Sequence, residues 1–394
     1  MKKLFRNIML AMATFLLVAG MSSCEKDKSG EDGGETNNDE LYRSILDSYI
    51  ESTVIPTYRS LAEAALEMRA ANAALKSDPS DANMIAASDA WMKARIAWEI
   101  SEAFLFGPVG EQALDIDAHI DSWPLELDQI LETLDREAAD LTGEKAWAEL
   151  DAEVIGFHVT EYLLYREGQP RPVSDLSEAE LKYLTAATDA LVWDCVLAYV
   201  AWAGENAVTT EMRAVFGENP DIRAHLDANS SYREFAKKLS PQETGGNYAS
   251  WGDALSEIAV GAAEIAGEVG ATKIAEPYEN RRTEDVESWY SWHSLDDYQN
   301  NIRSIKNAYL GGMDDNSRKA ASLSSYIATV NADLDRDIKA GIDDCLAKIA
   351  AIGTGGKSFY EVVRDQINAS QVDEAVTACI RLQDLFDRVP EIVE

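Results

Sequence analysis

The sequence has few of the residues on which many folds and site chemistries depend. It contains 10 prolines, 4 cysteines and 4 histidines in 394 residues, and 35 Lys and Arg stand against 70 Asp and Glu. Scarce proline, together with abundant Ala, Leu and Glu, favours helix over sheet. The formal net charge of −35 repels phosphate backbones, which excludes nucleic acid as a partner. The hydrophobic content of 46% excludes a disordered acidic chain.

Several reactive motifs are also lacking. The four cysteines show no C-x-x-C spacing; Cys195 is predicted to be buried and inert, and the sequence leaves open whether Cys345 and Cys379 pair. The stretch GTGGKS at 353–358 lacks the first glycine of a phosphate-binding loop and follows no predicted strand. Since no Gly-x-Ser-x-Gly element occurs either, nucleophilic catalysis has no support.

The first 40 residues predict an exported, lipid-anchored protein. A basic start precedes an apolar run from Ile8 to Gly20 that is too short for a comfortable membrane span, which indicates a signal peptide over 1–23. The small residues before Cys24 resemble a loose bacterial lipobox, which implies cleavage there and lipidation of Cys24, so that acyl chains hold the protein on a membrane. Residues 24–40 are predicted to be a flexible acidic tether.

The composition of this tether bears on location. Its acidic run directly after the lipidated cysteine resembles the export signals of some Gram-negative surface lipoproteins, and a plain tether is the alternative interpretation. We therefore expect an outer-membrane lipoprotein in the cell envelope of a Gram-negative bacterium, with surface exposure left open.

Helical periodicity continues through almost everything after residue 40, and no stretch alternates as a strand would. We predict an all-α fold with two helical halves, each similar to a four-helix bundle, over 41–230 and 231–394. The irregular stretch 206–245 marks the division. The predicted helices cover residues 40–75, 81–106, 124–134, 144–167 and 178–205 in the first half, and 249–270, 294–310, 322–351 and 358–387 in the second.

The segment VIGFHVTEYLLY, residues 154–165, places two polar side chains in an apolar run. On a helical wheel His158 and Glu161 lie along the apolar stripe, which predicts that both point inward. A buried carboxylate needs a hydrogen-bonding, ionic or metal partner. Gly156 weakens a helix, so we expect a close backbone neighbour on its bare side. The spacing of His158 and Glu161 alone allows two interpretations: a core histidine that is hydrogen-bonded to its neighbour, or a pair of metal ligands.

A metal site at this pair would need further ligands. The His-Glu-x-x-His signature of helical zinc proteases is absent, because Val159 and Tyr162 occupy the deciding positions. With so few histidines, carboxylates must complete any site, and carboxylate-rich sites favour iron, calcium, magnesium or manganese.

A second group of polar side chains lies in ALDIDAHIDSWP, residues 113–124. Asp115, Asp117, His119 and Asp121 recur at every second position, so an extended chain would face all four to one side as a cation-facing edge. A loop with one solvated side is the alternative.

Glu102 is a third candidate. It lies near the C-terminus of its predicted helix, where the helix dipole disfavours a carboxylate, and this indicates a local cationic partner. The alternative for this helix is a surface ion pair between Arg95 and Glu99.

Three ordered blocks of the sequence resemble the imelysin-like family. IGFHVTEYLLY resembles the family's Gly-x-His-x-x-Glu motif, here Gly156, His158 and Glu161. AWEISEAFLFGP…IDSWPL resembles its first block, and WHSLDDYQNNIRSIKNAYLGG resembles its second-half block, so the resemblance spans roughly residues 40–390. The family includes a protein reported as proteolytic and iron-regulated envelope proteins associated with iron uptake, on two helical bundles with the motif near their interface.

The resemblance implies that His158 and Glu161 are the core of a metal site, with Gly156 as its packing residue. Further candidates come from the first block: Glu102, Asp121 and Trp123. The implied ligand is a divalent metal or an iron-containing compound, and the implied partner is an iron-transport system. Two alternatives stay open: a zinc-type metallopeptidase on the same His-x-x-Glu motif, and a scaffold whose polar pair fixes helix register.

Overall fold

Long helices dominate the chain, as the composition predicts. A computed structural model describes residues 37–110, 114–136, 140–218 and 248–393. The α-helices are, in chain order, α1 (Asn37–Tyr49), α2 (Ile55–Ser77), α3 (Asp81–Glu99), α4 (Ile116–Asp121), α5 (Leu127–Arg136), α6 (Gly143–Glu149), α7 (Gly156–Leu164), α8 (Glu178–Ala203), α9 (Thr210–Glu218), α10 (Trp251–Glu268), α11 (Glu276–Asn280), α12 (Ser294–Leu310), α13 (Leu323–Val330), α14 (Ala332–Ile352), α15 (Phe359–Asp365), α16 (Ala369–Phe386) and α17 (Pro390–Val393). Among these residues the strands are a two-residue antiparallel pair, β1 (Tyr165–Arg166) and β2 (Gln169–Pro170). The all-α prediction is confirmed.

Several predicted features fall outside the described residues. These are the signal peptide over 1–23, the lipidation site Cys24, the tether as far as residue 36, and the division at residue 230. They stay predictions. Residues 37–40 form the first turn of α1 rather than the end of a tether. Acidic side chains in that turn complement the helix dipole.

The first long helical stretch, predicted as one helix over 40–75, is interrupted just before Pro56. A wide π-helical turn over Ile50–Val54 separates α1 from α2, and Pro56 lies in the first turn of α2. Proline lacks the N–H that a continuing helix would need, so the helix restarts here with proline in a position that requires no donor.

The first four-helix group forms a ring. Helix α2 packs on α3 and α8, and α7 closes the ring by contacting both α3 and α8. Helix α8 is long and apolar enough to cross a membrane, but 89% of its most apolar window is buried inside the fold. Its hydropathy is therefore accounted for by core packing. A capping box of Ser177 and Glu180 starts this helix.

The second four-helix group repeats this arrangement. Helices α10, α12, α14 and α16 each contact two of the others around a ring. Two stretches predicted as continuous helices are divided. Asn331 caps α14 with its side chain and so separates it from α13, and Gln366 and Asn368 adopt left-handed conformations between α15 and α16.

The two groups meet at the end of α3. The short 3-10 turn Glu102–Phe104 that follows α3 contacts both α10 and α12, and α3 itself contacts α12. The approach is close: a Cβ atom on Gly261 would lie 2.4 Å from the carbonyl oxygen of Ala103. This contact brings the polar end of α3 against the second group.

The predicted helix over 144–167 is divided. The helical-wheel projection that placed His158 therefore covers residues that belong to two separate helices. Helix α6 ends at Glu149, a 3-10 turn follows, and α7 begins at Gly156 with φ of +76°. A Cβ on Gly156 would lie 2.4 Å from the carbonyl oxygen of Ile120, so α4 is its close backbone neighbour. Helix α7 is buried on nearly every side; Tyr162 is its half-buried residue. The expected one-sided apolar stripe is therefore wrong, although both polar groups are inside.

The cysteines in the described residues are buried and free. Cys195 lies within α8 as predicted. Cys345 on α14 and Cys379 on α16 are close enough to interact, without a disulfide between them.

Candidate metal centre

His158 lies between two carboxylates in the interior. It and Glu161 are both 0% exposed. The imidazole Nδ1 is 3.1 Å from Glu161 Oε2, and its Nε2 is 3.1 Å from Asp121 Oδ1. One ring nitrogen therefore faces a residue of its own helix, while the other faces the end of α4.

Both oxygens of Glu161 are engaged. Oε2 faces His158, and Oε1 accepts hydrogen bonds from the backbone N–H groups of Tyr290 (3.0 Å) and Ser291 (2.7 Å). These two donors belong to the segment that precedes α12. Glu161 therefore ties α7 to the second helical group and orients the histidine ring.

Asp121 is held from α3. Its Oδ2 accepts a hydrogen bond of 2.7 Å from Trp98 Nε1, and its Oδ1 pairs with the Arg95 guanidinium and faces His158. The ring of Trp123, another predicted site residue, lies 4.8 Å from the His158 ring. The first block of the sequence thus supplies one polar and one aromatic neighbour of His158.

Arg95 is the central cation of the cluster. It is fully buried and pairs with Asp121, with Glu99 at 2.5 Å, with Glu287 at 2.9 Å and, more distantly, with Asp297 at 3.6 Å. The surface pair predicted for Arg95 and Glu99 is wrong. That face of α3 is covered by α12, which a wheel of α3 alone does not reveal.

Glu102 has the cationic neighbour that its position indicates. This is Lys273, on the wide turn Val269–Ala275 after α10, and it also binds Glu287 at 3.2 Å. Burial raises the pKa of Glu102 well above its usual value, and Lys273 only partly opposes this. The carboxylate at the end of α3 is therefore short of positive partners.

Burial also raises the pKa of two further carboxyl groups, Asp297 and Glu99. Burial raises the pKa of Asp297 to about 6 despite the nearby Arg95 guanidinium. Burial also raises the pKa of Glu99 well above its usual value, again with Arg95 opposing. Burial is the largest cause of both shifts, and the Arg95 guanidinium does not fully offset it.

The pKa values of Asp121 and His158 shift in the directions expected of an ion pair. Burial alone would raise the pKa of Asp121, but Arg95 and His158 outweigh it and hold that pKa well below its usual range. Burial and Arg95 lower the pKa of His158, but hydrogen bonds to Asp121 and Glu161 outweigh both and raise it to about 9. Without another cation, His158 is therefore protonated at neutral pH.

The cluster contains two sets of three potential ligand atoms. Within each set, the three atoms lie within 4.8 Å of one another. One set comprises Asp121, His158 and Glu287; the other comprises Glu99, Glu102 and Asp121. His158 Nε2 and Glu287 Oε2 are both buried, and each has an ion-pair contact: Asp121 Oδ1 lies 3.1 Å from the first, and Lys273 Nζ lies 3.2 Å from the second. Imidazole nitrogen and carboxylate oxygen are suitable ligands for a first-row transition metal.

The predicted edge of alternating polar residues is not extended. Residues 116–121 form α4, because Ile116 and Ile120 are spaced by one helical turn and both are buried. His119 points away from His158 and pairs with Asp194 at 2.6 Å. Of that group only Asp121 belongs to the two sets of ligand atoms.

Sequence patterns did not identify several members of the cluster. Asp297 and Asn301 are one turn apart on the buried face of α12, and a wheel of that helix would have placed them inside together. Glu287 and Lys273 lie in irregular or π-helical segments, where no periodicity indicates direction. Only tertiary packing brings these two to His158.

Comparison with known proteins identifies the family. The sequence model of the imelysin family matches residues 54–389, which is most of the chain, so the chain belongs to this family. Iron-regulated protein A of Synechococcus elongatus is 27% identical over 275 residues; the match covers 70% of this chain and 66% of that protein, just under two thirds of its length.

Solved structures share the fold. A Parabacteroides distasonis protein assigned as an iron-regulated protein A precursor superposes with a TM-score of 0.72 at 26% identity, covering 93% of this chain and 98% of the other. An imelysin-like protein from Psychrobacter arcticum gives a TM-score of 0.59 at 15% identity, covering 89% and 94%, and supports the fold alone.

Proposed function

We propose that this imelysin-family protein is an envelope protein that binds a metal ion, iron foremost, through Asp121, His158 and Glu287, and that it serves iron uptake. The observation that carries the proposal is the convergence of one ligand atom each from Asp121, His158 and Glu287 within 4.8 Å of one another, inside a cluster whose carboxyl groups outnumber its Arg and Lys side chains. Burying several carboxylates together is destabilising, and a metal ion supplies a common partner to several of them at once.

The ligand set favours iron over the harder alkaline-earth ions. One imidazole nitrogen with two carboxylate oxygens suits iron, manganese or zinc, whereas calcium and magnesium take oxygen ligands almost alone. Two relatives carry names that refer to iron regulation, which supports iron as the first metal to test.

Glu161 has a positioning role in this proposal, in place of the ligand role that the sequence predicts for it. Metal-binding histidines usually donate their second ring N–H to a carboxylate, which fixes the tautomer and the ring orientation. With Glu161 Oε2 accepting from Nδ1, the lone pair of Nε2 points toward Asp121. Gly156 keeps α7 against α4, so that His158 and Asp121 meet.

We further propose that a lipidated Cys24 anchors the protein to the outer membrane and that an iron-transport system takes over the metal. The lipobox-like sequence supports the anchor, and the relatives' names support the link to iron. A Cys24→Ala variant should move from the membrane fraction to the soluble fraction of the envelope. Equal membrane association of both forms would contradict the anchor.

The zinc-type metallopeptidase stays the alternative. Such a mechanism needs a metal open to water and substrate, with a general base beside it. The base candidate of the motif, Glu161, is fully buried and has both oxygens engaged, which favours binding over hydrolysis. Cleavage of a peptide library by the zinc-loaded protein, lost in Glu161→Gln, would favour the peptidase instead.

The direct experiment is an anaerobic iron(II) titration of the purified protein. We expect His158→Ala to weaken binding by at least about 100-fold, because it removes the only nitrogen ligand of the set. His293→Ala is the matched control, since His293 is half-buried, pairs with Asp296 and belongs to neither set of ligand atoms. Equal affinity in wild type and His158→Ala would contradict the proposal.

A further inference from the structure

Residues 286–293 cover part of the candidate centre without forming a helix or a strand. They lie between a 3-10 turn and the start of α12. The segment contributes Glu287 to one set of ligand atoms, and two of its backbone N–H groups bind Glu161. Because the His158 side chain is 0% exposed, a metal ion reaches it only when part of its cover moves. Turns open more readily than the long helices that form the rest of the cover.

Two residues of this segment have a backbone conformation that costs energy. Ser288 has φ of +50° and Trp292 has φ of +63°, in the left-handed region that bulky side chains rarely adopt. Such conformations persist where surrounding contacts hold them, and they are concentrated at ligand clamps and switch segments. The segment is therefore held in place against its own backbone preference by contacts with other parts of the fold.

The strongest of these contacts involve Trp292. Its ring stacks on the Tyr360 ring of α15, with centroids 5.3 Å apart and an angle of 13° between the planes. A Cβ on Gly168 would lie 2.5 Å from the Trp292 ring, so the ring packs directly on this glycine. The Gly168 N–H also donates a hydrogen bond of 2.9 Å to the Tyr290 carbonyl oxygen. Since Gly168 lies between β1 and β2, directly after α7, the segment is fastened to the helix that carries His158.

We propose that residues 286–293 form a gate over the metal centre and that Trp292 holds the gate shut. Opening withdraws Glu287 and uncovers His158, so that an ion enters or leaves. Binding of the ion by Glu287 then favours the closed position. Trp292 is a positioning residue, because it acts on the ion through the placement of Glu287. The inference rests on the proposed function and adds the route by which the ion exchanges.

The kinetic experiment weakens the gate and leaves every proposed ligand in place. Tyr360→Leu removes the ring on which Trp292 stacks. Loss of one aromatic pair should raise the rate at which bound iron(II) passes to excess ferrozine, under anaerobic conditions, by about 10-fold. The Kd for iron(II) should change by less than about 2-fold, because the closed form still predominates. Tyr248→Leu, at another half-buried tyrosine, is the matched control and should release iron(II) at the wild-type rate.

Hydrogen exchange of the wild type tests the gate without any variant. The backbone amides of Tyr290 and Ser291 are hydrogen-bonded to a fully buried carboxylate. In the metal-free protein we nevertheless expect them to exchange faster than the amides of α7, because the segment opens while the helix stays folded. Iron(II) should slow their exchange, since it holds the gate shut.

Three results would overturn the gate and leave the proposed function in place. The first is exchange at Tyr290 and Ser291 as slow as in α7, with and without iron(II). The second is an unchanged release rate in Tyr360→Leu. The third is a Kd that rises in that variant by as much as the release rate, which would show that Trp292 merely supports the site. Failure of the wild type to bind iron(II) would contradict both the gate and the proposed function.

Discussion

Two buried carboxylate clusters in this protein differ in how their oxygens are satisfied. Asp335, in the first turn of α14, is 7% exposed; its Oδ1 accepts hydrogen bonds from Tyr309 and Ser324, and its Oδ2 accepts one from Lys339 at 2.8 Å. Although burial opposes it, the hydrogen bonds from Lys339, Ser324 and Tyr309 lower the pKa of Asp335 below its usual value. This carboxylate has the partners that a structural role needs.

The cluster around His158 lacks that completeness. Glu99 Oε1, Glu287 Oε2 and Asp297 Oδ1 take part in no hydrogen bond among the described residues, and burial raises the pKa of Glu99 and Asp297. Donors and charges are matched in one cluster and mismatched in the other. The difference teaches that burial of an acid does not by itself indicate a binding site; the indication is burial without partners.

Glycine substitutions should separate the two regions most strongly. Gly156→Ala places a methyl group 2.4 Å from the Ile120 carbonyl oxygen at a residue with φ of +76°, so we expect a loss of about 3 kcal/mol or more in the free energy of unfolding, together with weaker metal binding. Gly341→Ala, within α14, meets only the flexible ends of Leu382 and Leu385 and should change stability by less than about 1 kcal/mol. Denaturant unfolding measures both, and similar losses would contradict the tight α4–α7 contact.

Metal should stabilise the protein through one cluster only. Iron(II) at 100 times its Kd should add about 2.7 kcal/mol to the free energy of unfolding of the wild type. We expect Asp121→Asn to lose this gain and Asp335→Asn to retain it. Anaerobic thermal unfolding with and without iron(II) measures the gain, and retention of it in Asp121→Asn would place the metal elsewhere.

Neutralising one carboxylate should have opposite effects on the two clusters in the metal-free protein. Asp335→Asn breaks a charge-assisted hydrogen bond to Lys339 and should lower the free energy of unfolding by about 1–2 kcal/mol. Glu102→Gln removes a negative charge from the cluster with the excess and should leave stability unchanged or raised. Urea unfolding in a chelating buffer decides the signs, and two equal losses would remove the contrast.

The pH dependence of stability should sharpen the same contrast. The folded pKa values of Asp297 (about 6) and His158 (about 9) are raised, so each group contributes stability that is full below its unfolded pKa and is lost as pH rises through its folded pKa. The metal-free protein should therefore become less stable between about pH 4 and about pH 9. Asp335, whose pKa is lowered, affects stability only as pH falls below about 4.

Bound metal should offset this loss of stability at higher pH, because the ligands must be deprotonated to bind the metal. The stabilisation by iron(II) should thus grow from pH 6 to pH 8. Chemical unfolding at each pH, with metal and with chelator, gives both curves. A metal-free protein that gains stability over this range would contradict the assigned titrations.

Local pattern was sufficient to predict most helices and the inward direction of His158 and Glu161. Apolar periodicity and capping residues act over a few residues, so α3, α8 and α12 follow from them. The start of α7 is the exception, because local pattern predicted one continuous helix through Gly156. The backbone of α4 occupies the space that a side chain at this position would need, and a new helix begins at Gly156.

The composition of the centre depends on contacts between distant segments, and local pattern cannot supply these. The sequence pattern offered a surface position for Arg95, because the pattern of α3 alone does not show that α12 covers this face. Glu287 reaches the centre from an irregular segment, 192 residues after Arg95 in the chain. Glu161 was predicted as a ligand on residue type, whereas its engagement by the backbone of Tyr290 and Ser291 appears only in the fold.

The central claim is that the buried cluster around His158 holds a metal ion through Asp121, His158 and Glu287. Anomalous diffraction at the iron absorption edge, from crystals of the purified protein grown anaerobically with iron(II), tests it most directly. We predict an anomalous peak within coordination distance, about 2.0–2.3 Å, of Asp121, His158 and Glu287 side-chain atoms. Crystals with iron only at surface carboxylates, and ordered water at the His158 centre, would contradict the claim.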